Sequence, residues 1–310
     1  MKILIASSIN KAAIDKLKEK NDVVCSFNAS EETLMSAITD REILIFRSGV
    51  KISTEVLKQG SNLKLLIRAG SGLDNIDINY VNERELQLVR IPQPGAKAVA
   101  ELSFAFMLAL SRDLIKADSL IRKGRFAKGE LNGYLLTGKT LGIVGCGNIG
   151  SRLGMMGAAW GMNAIGCLAK SDYSEEYAAE MKKLGIRITT FDEVITTSDY
   201  ISIHVPLDDT TRGLINEQVL NSMKIGSYIM NLARGGVVDE QALYKALTEG
   251  NRLRGAATDV HVNEGEGKIS PLAALPNVVL TPHIGAQTVD SQKEIGEIIL
   301  TTVANFANKK

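Results

Sequence analysis

The chain has 310 residues, 45% hydrophobic and 23% charged, with 36 Lys and Arg against 35 Asp and Glu. That composition excludes a disordered chain, and a net charge of +1 with no long block of one sign excludes an electrostatic footprint for nucleic acid or an anionic membrane. At about 100–200 residues per domain, the length predicts two domains.

The first run, MKILIASSIN, is too short for the core of a signal peptide and predicts a strand. Further apolar, β-branched runs follow as VVCSF, ILIFR, LKLLIRAG and LQLVRIP, separated by amphipathic stretches such as AAIDKLKEK and EETLMSAITD. Pro92 and Pro94 stand together before AVAELSFAFMLALSRDLIKADSLI, which predicts a stiff crossover into a second domain and then one long helix. The longest apolar run in it, 104–110, falls well short of the ~18 residues of a membrane span. Strand patterns resume as TLGIVGCG, MNAIGC, YISIHVP, SYIMNLAR and NVVLTPHIG, with EQVLNSMKIG and EQALYKALTEG as helical stretches between them. The last segment, DSQKEIGEIILTTVANFANKK, has a helical pattern and is expected to cross back to the first domain.

Continuously apolar strands alternating with helices imply parallel sheets covered on both faces. The expected fold class is α/β, with two doubly wound parallel-sheet domains of Rossmann or flavodoxin type and a cleft between them. Their expected boundaries are 1–98 with 288–310, and 99–287. Cys25, Cys146 and Cys167 show no C-x-x-C pattern and no even-numbered framework, so all three read as buried small apolar residues in a reducing, cytoplasmic setting.

Within TLGIVGCGNIG a strand runs into Gly145-x-Gly147-x-x-Gly150 and then a helical pattern. Gly145 allows the tight turn, Gly147 lets backbone approach a pyrophosphate, and Gly150 lets helix pack on strand. The helix N-terminus adds unpaired N–H groups. A structural turn or a methyltransferase-type nucleotide site shares this local pattern. Some twenty residues on, where an acid would accept hydrogen bonds from ribose hydroxyls, the chain has Leu168. Lys170 and Ser171 suit a ribose 2′-phosphate instead, which tips the expected cofactor from NAD toward NADP. Asp172 opposes that reading, and the plain alternative makes these residues solvated loop.

Three histidines occur, His204, His261 and His283, without metal-site spacing, and there is no Tyr-x-x-x-Lys. Three polar residues stand at or just beyond apolar runs: Arg234, Glu264 and His283. Strand carboxyl ends are where open parallel sheets bind ligands, although a lone histidine is more often structural.

NLARGGVVDEQAL resembles the signature of the NAD(P)-dependent D-2-hydroxyacid dehydrogenases, as do RAGSGLDNID, KTLGIVGCGNIG, HVPLDDTTRGLIN, GAATDV and TPHIGAQT, in that order over nearly the whole chain. The likeness leans to the phosphoglycerate dehydrogenase-like branch. It implies an oxidoreductase with Arg234, Glu264 and His283 catalytic. It implies cofactor contacts at Asn148, Ile149, His204, Val205, Pro206, Leu232, Ala233, Asp259, Gly285 and Ala286, besides the glycine turn. Substrate contacts fall on Arg47, Ser71 and Gly72. The discontinuous domain would then take the substrate and the continuous one the dinucleotide.

The chain departs from the family's pattern in four places: Leu168, Gly265 where proline is usual with Glu266 as a rival partner for His283, Lys128 where a second arginine is common, and Gly95 where asparagine is common. With its last helical pattern at 290–310, the expectation is a chain without the regulatory C-terminal domain of some relatives. The expected activity is hydride transfer between nicotinamide and C2 of a small 2-hydroxy or 2-keto acid of phosphoglycerate, hydroxypyruvate or glyoxylate type, by a homodimer associated through the helix after Pro94. The alternatives are an NAD(P)(H)-sensing, corepressor-like protein on the same scaffold and an enzyme oxidising formate or phosphite.

Overall fold

A computed structural model describes residues 1–168, 173–249 and 252–308. The chain forms two compact units, Met1–Ala98 with Ala286–Lys310, and Val99–Gly285. The first is built on five parallel strands, β1 (Lys2–Ile5), β2 (Asp22–Cys25), β3 (Ile43–Phe46), β4 (Leu65–Arg68) and β5 (Gln87–Arg90), in the order β2-β1-β3-β4-β5. Helices α1 (Lys11–Lys18), α2 (Glu31–Ile38), α3 (Thr54–Gln59) and α4 (Ile78–Glu83) connect them.

The strand sequences follow from position in the sheet. β3 and β4 are interior and buried throughout as ILIF and LLIR, whereas β2 and β5 lie at the edges and are only half-covered. Each fully buried Ile or Leu contributes about 1.5–3 kcal/mol, which is what holds so small a sheet. Cys25 closes edge strand β2 and is exposed, so the expectation of three buried cysteines is corrected to two. Burial pushes the Cys146 and Cys167 thiols up to about 12, which keeps them from reacting as thiolates.

Helix α5 (Gln93–Ser111) carries the chain from the first unit into the second, and the unit boundary falls inside it. The expected crossover before the helix is therefore part of it. Pro94 sits in its first turn, where a missing N–H leaves nothing unpaired. The single long helix expected here is two: Asp113, at φ +50, ends α5 and starts α6 (Leu114–Arg122).

The second unit has seven strands: β6 (Thr140–Val144), β7 (Asn163–Cys167), β8 (Ile186–Ile188), β9 (Tyr200–Ile203), β10 (Ser227–Asn231), β11 (Leu253–Thr258) and β12 (Val278–Leu280). All pairings among them are parallel, in the order β12-β11-β10-β9-β6-β7-β8. Helices α7 (Gly150–Ala159), α8 (Glu175–Lys183), α9 (Phe191–Thr197), α10 (Glu217–Ser222) and α11 (Glu240–Thr248) cover it, and α12 (Val289–Ala307) packs in the first unit. Two of these strands escape sequence patterning. β8 has three residues, and β11 reads LRGAAT, poor in β-formers, because a Cβ at Gly255 would sit 2.7 Å from the Asn277 carbonyl oxygen of the next strand's approach.

Side-chain caps start most helices: Asn10, Ser30, Ser53, Asp77, Ser174, Thr190, Asn216, Asp239 and Thr288 each accept a backbone N–H of the first turn. Helix α7 is preceded by Ile149 and has no such cap. Its Ser151 N bonds back to Gly147 O at 3.0 Å, so backbone rather than a side chain closes part of the first turn. Strand order reverses between β6 and β9, so the carboxyl ends of these two strands define the switch point of the sheet.

Candidate active site

The glycine turn lies at that switch point. Gly145, at φ +97, passes so close to β9 that a Cβ would meet the His204 carbonyl oxygen at 2.9 Å, and a Cβ at Gly150 would meet the Gly145 oxygen at 2.2 Å. Gly147 faces open space and is exposed, as is Asn148. Three donors occupy the turn's carbonyls. Tyr177 Oη donates to Cys146 O at 2.8 Å, Ser151 Oγ to Gly147 O at 2.7 Å, and Arg152 Nη1 to Asn148 O at 2.6 Å. With these oxygens engaged and no side chain capping the helix, the exposed Gly147–Asn148 stretch and the helix N-terminus form a place a pyrophosphate fits.

His204 is the first residue after β9. Its Nε2 lies 2.8 Å from Ser202 Oγ, and burial pushes its pKa down to about 3, so it is neutral and offers no charge to a phosphate. Val205 is buried and Pro206 exposed. Leu168, half-buried, follows the last residue of β7. Lys170 and Ser171 lie outside the described residues, as does Asp172.

The carboxyl ends of β10, β11 and β12 carry the three candidate catalytic residues. At the end of β10, Asn231 accepts from Ala233 N at 3.1 Å and donates to Arg234 O at 3.1 Å, curling LARGG so that Leu232 and Ala233 are buried and Arg234 is part-exposed. Arg234 Nη1 donates to Ala233 O at 2.8 Å. The loop after β11 is pressed against this one: a Cβ at Gly235 would lie 2.0 Å from His261 O.

Asp259, 2% exposed, braces the loop after β12. Its Oδ1 accepts from Thr281 Oγ1 at 2.6 Å and Ile284 N at 2.8 Å, and its Oδ2 from Gly285 N at 2.7 Å. Its carbonyl accepts His283 N at 2.7 Å. His283 itself sits at φ +55, a conformation that costs about 1–3 kcal/mol and is held by these bonds. Its Nδ1 donates to Glu264 Oε2 at 2.8 Å, which leaves Nε2 for another partner. Glu264 Oε1 accepts His261 N at 3.1 Å, and the His261 ring donates from Nε2 to Thr281 O at 3.0 Å. Burial raises the Glu264 pKa, but the hydrogen bond and charge of His283 outweigh it, so the carboxyl titrates below its ordinary value. Glu264, rather than Glu266, is the residue within reach of His283.

An imidazole with one nitrogen fixed by a carboxylate, an arginine two strands along, and a glycine turn on the same edge of one sheet together suit proton transfer beside a dinucleotide. The model of the D-isomer specific 2-hydroxyacid dehydrogenase NAD binding domain matches residues 104–285. This chain belongs to the D-isomer specific 2-hydroxyacid dehydrogenase family. It is 37% identical over 96% of its length to a D-3-phosphoglycerate dehydrogenase of Methanocaldococcus jannaschii, but spans only 56% of that protein. It is 36% identical over 95% of its length to a hydroxypyruvate reductase of Thermotoga maritima, spanning 94% of it. A D-lactate dehydrogenase from Aquifex aeolicus, solved with NAD and lactic acid, superposes with TM-score 0.86 at 29% identity over 100% of this chain and 96% of the other. An acyclic imino acid reductase in complex with NADPH and D-arginine superposes with TM-score 0.87 at 28% identity over 100% and 98%. Structural relatives of this chain thus bind NAD or NADPH on one scaffold.

The remaining candidates lie in the first unit. Arg47, after β3, is half-buried, and its Nη1 donates to Gln287 Oε1 at 3.0 Å. Ser71 is exposed and Gly72 half-buried in the loop after β4, and Ala286 is half-buried ahead of α12. Sequence reasoning missed Tyr177, Asn231, His261, Asn75 and Gln287, all of which hold a candidate residue or its loop. Each acts on a segment distant in sequence or through a backbone carbonyl, so no motif spacing announces them. The described residues contain no cluster of His, Cys, Asp or Glu that could hold a metal, and no helix among them is long and apolar enough to cross a membrane.

Proposed function

We propose that this family member transfers hydride between a nicotinamide dinucleotide and C2 of a small D-2-hydroxy acid or 2-keto acid of phosphoglycerate, hydroxypyruvate or glyoxylate type, in the cytoplasm. The observation that carries the reading is the His283–Glu264 pair, with the Arg234 loop pressed against the Glu264 loop, at the strand ends of the sheet that bears the glycine turn. The second unit takes the dinucleotide, and residues Arg47, Ser71 and Gly72 of the first take the substrate.

Bound there, the nicotinamide supplies the hydride in reduction and accepts it in oxidation. Arg234 pairs its planar guanidinium with the substrate carboxylate and polarises the C2 oxygen. In reduction His283 gives its Nε2 proton to that oxygen as C2 becomes tetrahedral, and in oxidation it takes the hydroxyl proton back. Glu264 keeps the other nitrogen protonated and stabilises the imidazolium. Mixing the protein with NADH or NADPH and hydroxypyruvate, glyoxylate or phosphohydroxypyruvate, and following nicotinamide absorbance, tests this directly. Binding of either dinucleotide without turnover of any 2-keto acid supports the sensing alternative instead.

Leu168 at the end of β7 supports tolerance of NADP. Placing a carboxylate there by Leu168→Asp is expected to shift the ratio of NADH to NADPH affinity toward NADH by about tenfold, the worth of one charged hydrogen bond. Titrating both dinucleotides by protein fluorescence reads the ratio, and an unchanged ratio sinks the assignment of this loop.

The protein acts as a homodimer in this reading. The apolar residues of α5, among them Phe104, Phe106, Met107 and Leu110, are consumed by the core of the second unit. What remains is α6, which buries no residue, and the segment after it: Ile115 is 59% exposed and Phe126 84%. Exposed apolar side chains of this size suit burial against a second copy. Sedimentation velocity of Ile115→Lys combined with Phe126→Lys is expected to give a monomer where the unmodified protein sediments as a dimer.

A further inference from the structure

Arg47 is a half-buried cation with an unusual set of partners. Its N–H donates to Ser7 Oγ at 3.0 Å, and Asn75 Nδ2 donates to both its carbonyl oxygen, at 2.9 Å, and that of Val50, at 2.6 Å. The backbone is therefore pinned from two directions. Its guanidinium donates to Gln287 Oε1 at 3.0 Å, and that oxygen also accepts Gln292 Nε2 from α12 at 3.2 Å. Gln292 holds Ala286 O as well, at 3.2 Å, so the amide of Gln287 is fixed by the helix behind it. Among the described residues no ion pair of Arg47 with a carboxylate is seen, and burial alone moves its pKa, downward. A desolvated charge that is oriented but not neutralised is set up for an anion that arrives from outside.

We infer that Gln287 is a specificity-determining residue: its neutral amide oxygen aims the Arg47 guanidinium without cancelling its charge, and so favours substrates that carry an anionic group on the carbon beyond the keto group. An acid at this position would hold the same nitrogen but supply a resident counter-ion, and the substrate's anion would have to displace it. An alanine would leave the charge and lose the aim. The inference rests on the proposed dehydrogenase activity and on Arg47 as a substrate contact. It adds a residue that touches neither substrate nor cofactor, and one whose exposed position lets it be changed without disturbing the core.

The test compares KM and kcat for phosphohydroxypyruvate, hydroxypyruvate and glyoxylate in the unmodified protein, Gln287→Glu, Gln287→Ala, Arg47→Ala and the Arg47→Ala, Gln287→Glu double variant. Gln287→Glu is expected to raise KM for phosphohydroxypyruvate about fivefold, with kcat, the dinucleotide Kd and KM for the two uncharged-ended acids within about twofold. Gln287→Ala is expected to raise the same KM, by less. In the Arg47→Ala background the added acid is expected to do nothing. An equal rise for all three acids, or a rise that persists without Arg47, overturns the inference. If Arg47→Ala leaves every KM unchanged while the unmodified protein is active, the inference falls and the dehydrogenase reading stands. If the unmodified protein reduces none of the acids, it is the proposed activity that has failed.

Discussion

His283→Ala is expected to lower kcat for 2-keto acid reduction by about 10²–10⁴, the range a positioned general acid supplies, while the dissociation constant of the dinucleotide stays unchanged. The selectivity follows from where the side chain is committed. Nδ1 is taken by Glu264 at 2.8 Å, and the backbone is taken by Asp259, so removing the imidazole deletes a proton donor without releasing the loop. The bracing bonds from Ile284 N and Gly285 N to Asp259 are main-chain bonds and survive the change. Steady-state kinetics with fluorescence titration of NADH and NADPH separates the two effects. A variant that retains its kcat removes His283 from the chemistry. The same variant also tests the sensing alternative, because a protein that only reports dinucleotide levels has no use for an acid at this position.

Gly235→Ala is expected to cost about 10²-fold in kcat/KM and to lower the melting temperature, although the substitution adds one methyl group and no charge. A Cβ there would lie 2.0 Å from the His261 oxygen, 2.4 Å from its carbonyl carbon and 2.8 Å from Val262 N. All three are backbone atoms of the loop that carries Glu264, and none can turn aside as a side-chain tip would. The Arg234 loop and the Glu264 loop must therefore move apart. Val262 N is itself tied to Glu240 Oε1 of α11 at 2.8 Å, so the second loop resists being pushed. In the proposed mechanism, displacing Arg234 by about an ångström from the His283–Glu264 pair is enough to account for the loss. Kinetics and thermal melting measured together check it, and an alanine variant with native activity would show that the two loops are not held in register by this contact.

Much of the fold is legible in the chain because burial leaves a period in the sequence. ILIF, LLIR and SYIMN are buried throughout and mostly apolar, being interior strands of parallel sheets, and helix starts are marked by Ser, Thr, Asn or Asp. β11 breaks the pattern because LRGAAT is chosen for the closeness of neighbouring backbone rather than for β propensity. The break between α5 and α6 is equally quiet, since Leu108 through Ile121 keeps a helical pattern and only the left-handed Asp113 interrupts it. Cys25 is misread because a strand sequence does not say whether it lies at an edge.

The same division runs through the site. Arg234, Glu264, His283 and the glycine turn are visible in one dimension because each is a local pattern at the end of an apolar run, with the chemistry in the residue type. Whether they cooperate is not a local property. That Glu264 rather than Glu266 meets His283, that Gly235 lies against His261, that Tyr177 reaches back to Cys146 and that Gln287 holds Arg47 across 240 positions are consequences of strand order and loop closure. The amino-acid sequence by itself determined the α/β class, most of the strands and helices and the residue types offered at the candidate site, because propensity, periodicity and side-chain reactivity are carried by short stretches of chain. Only the tertiary structure decided which of those groups share a hydrogen bond and which are aimed without being neutralised, because parallel sheets bring strand ends together from segments that no spacing connects.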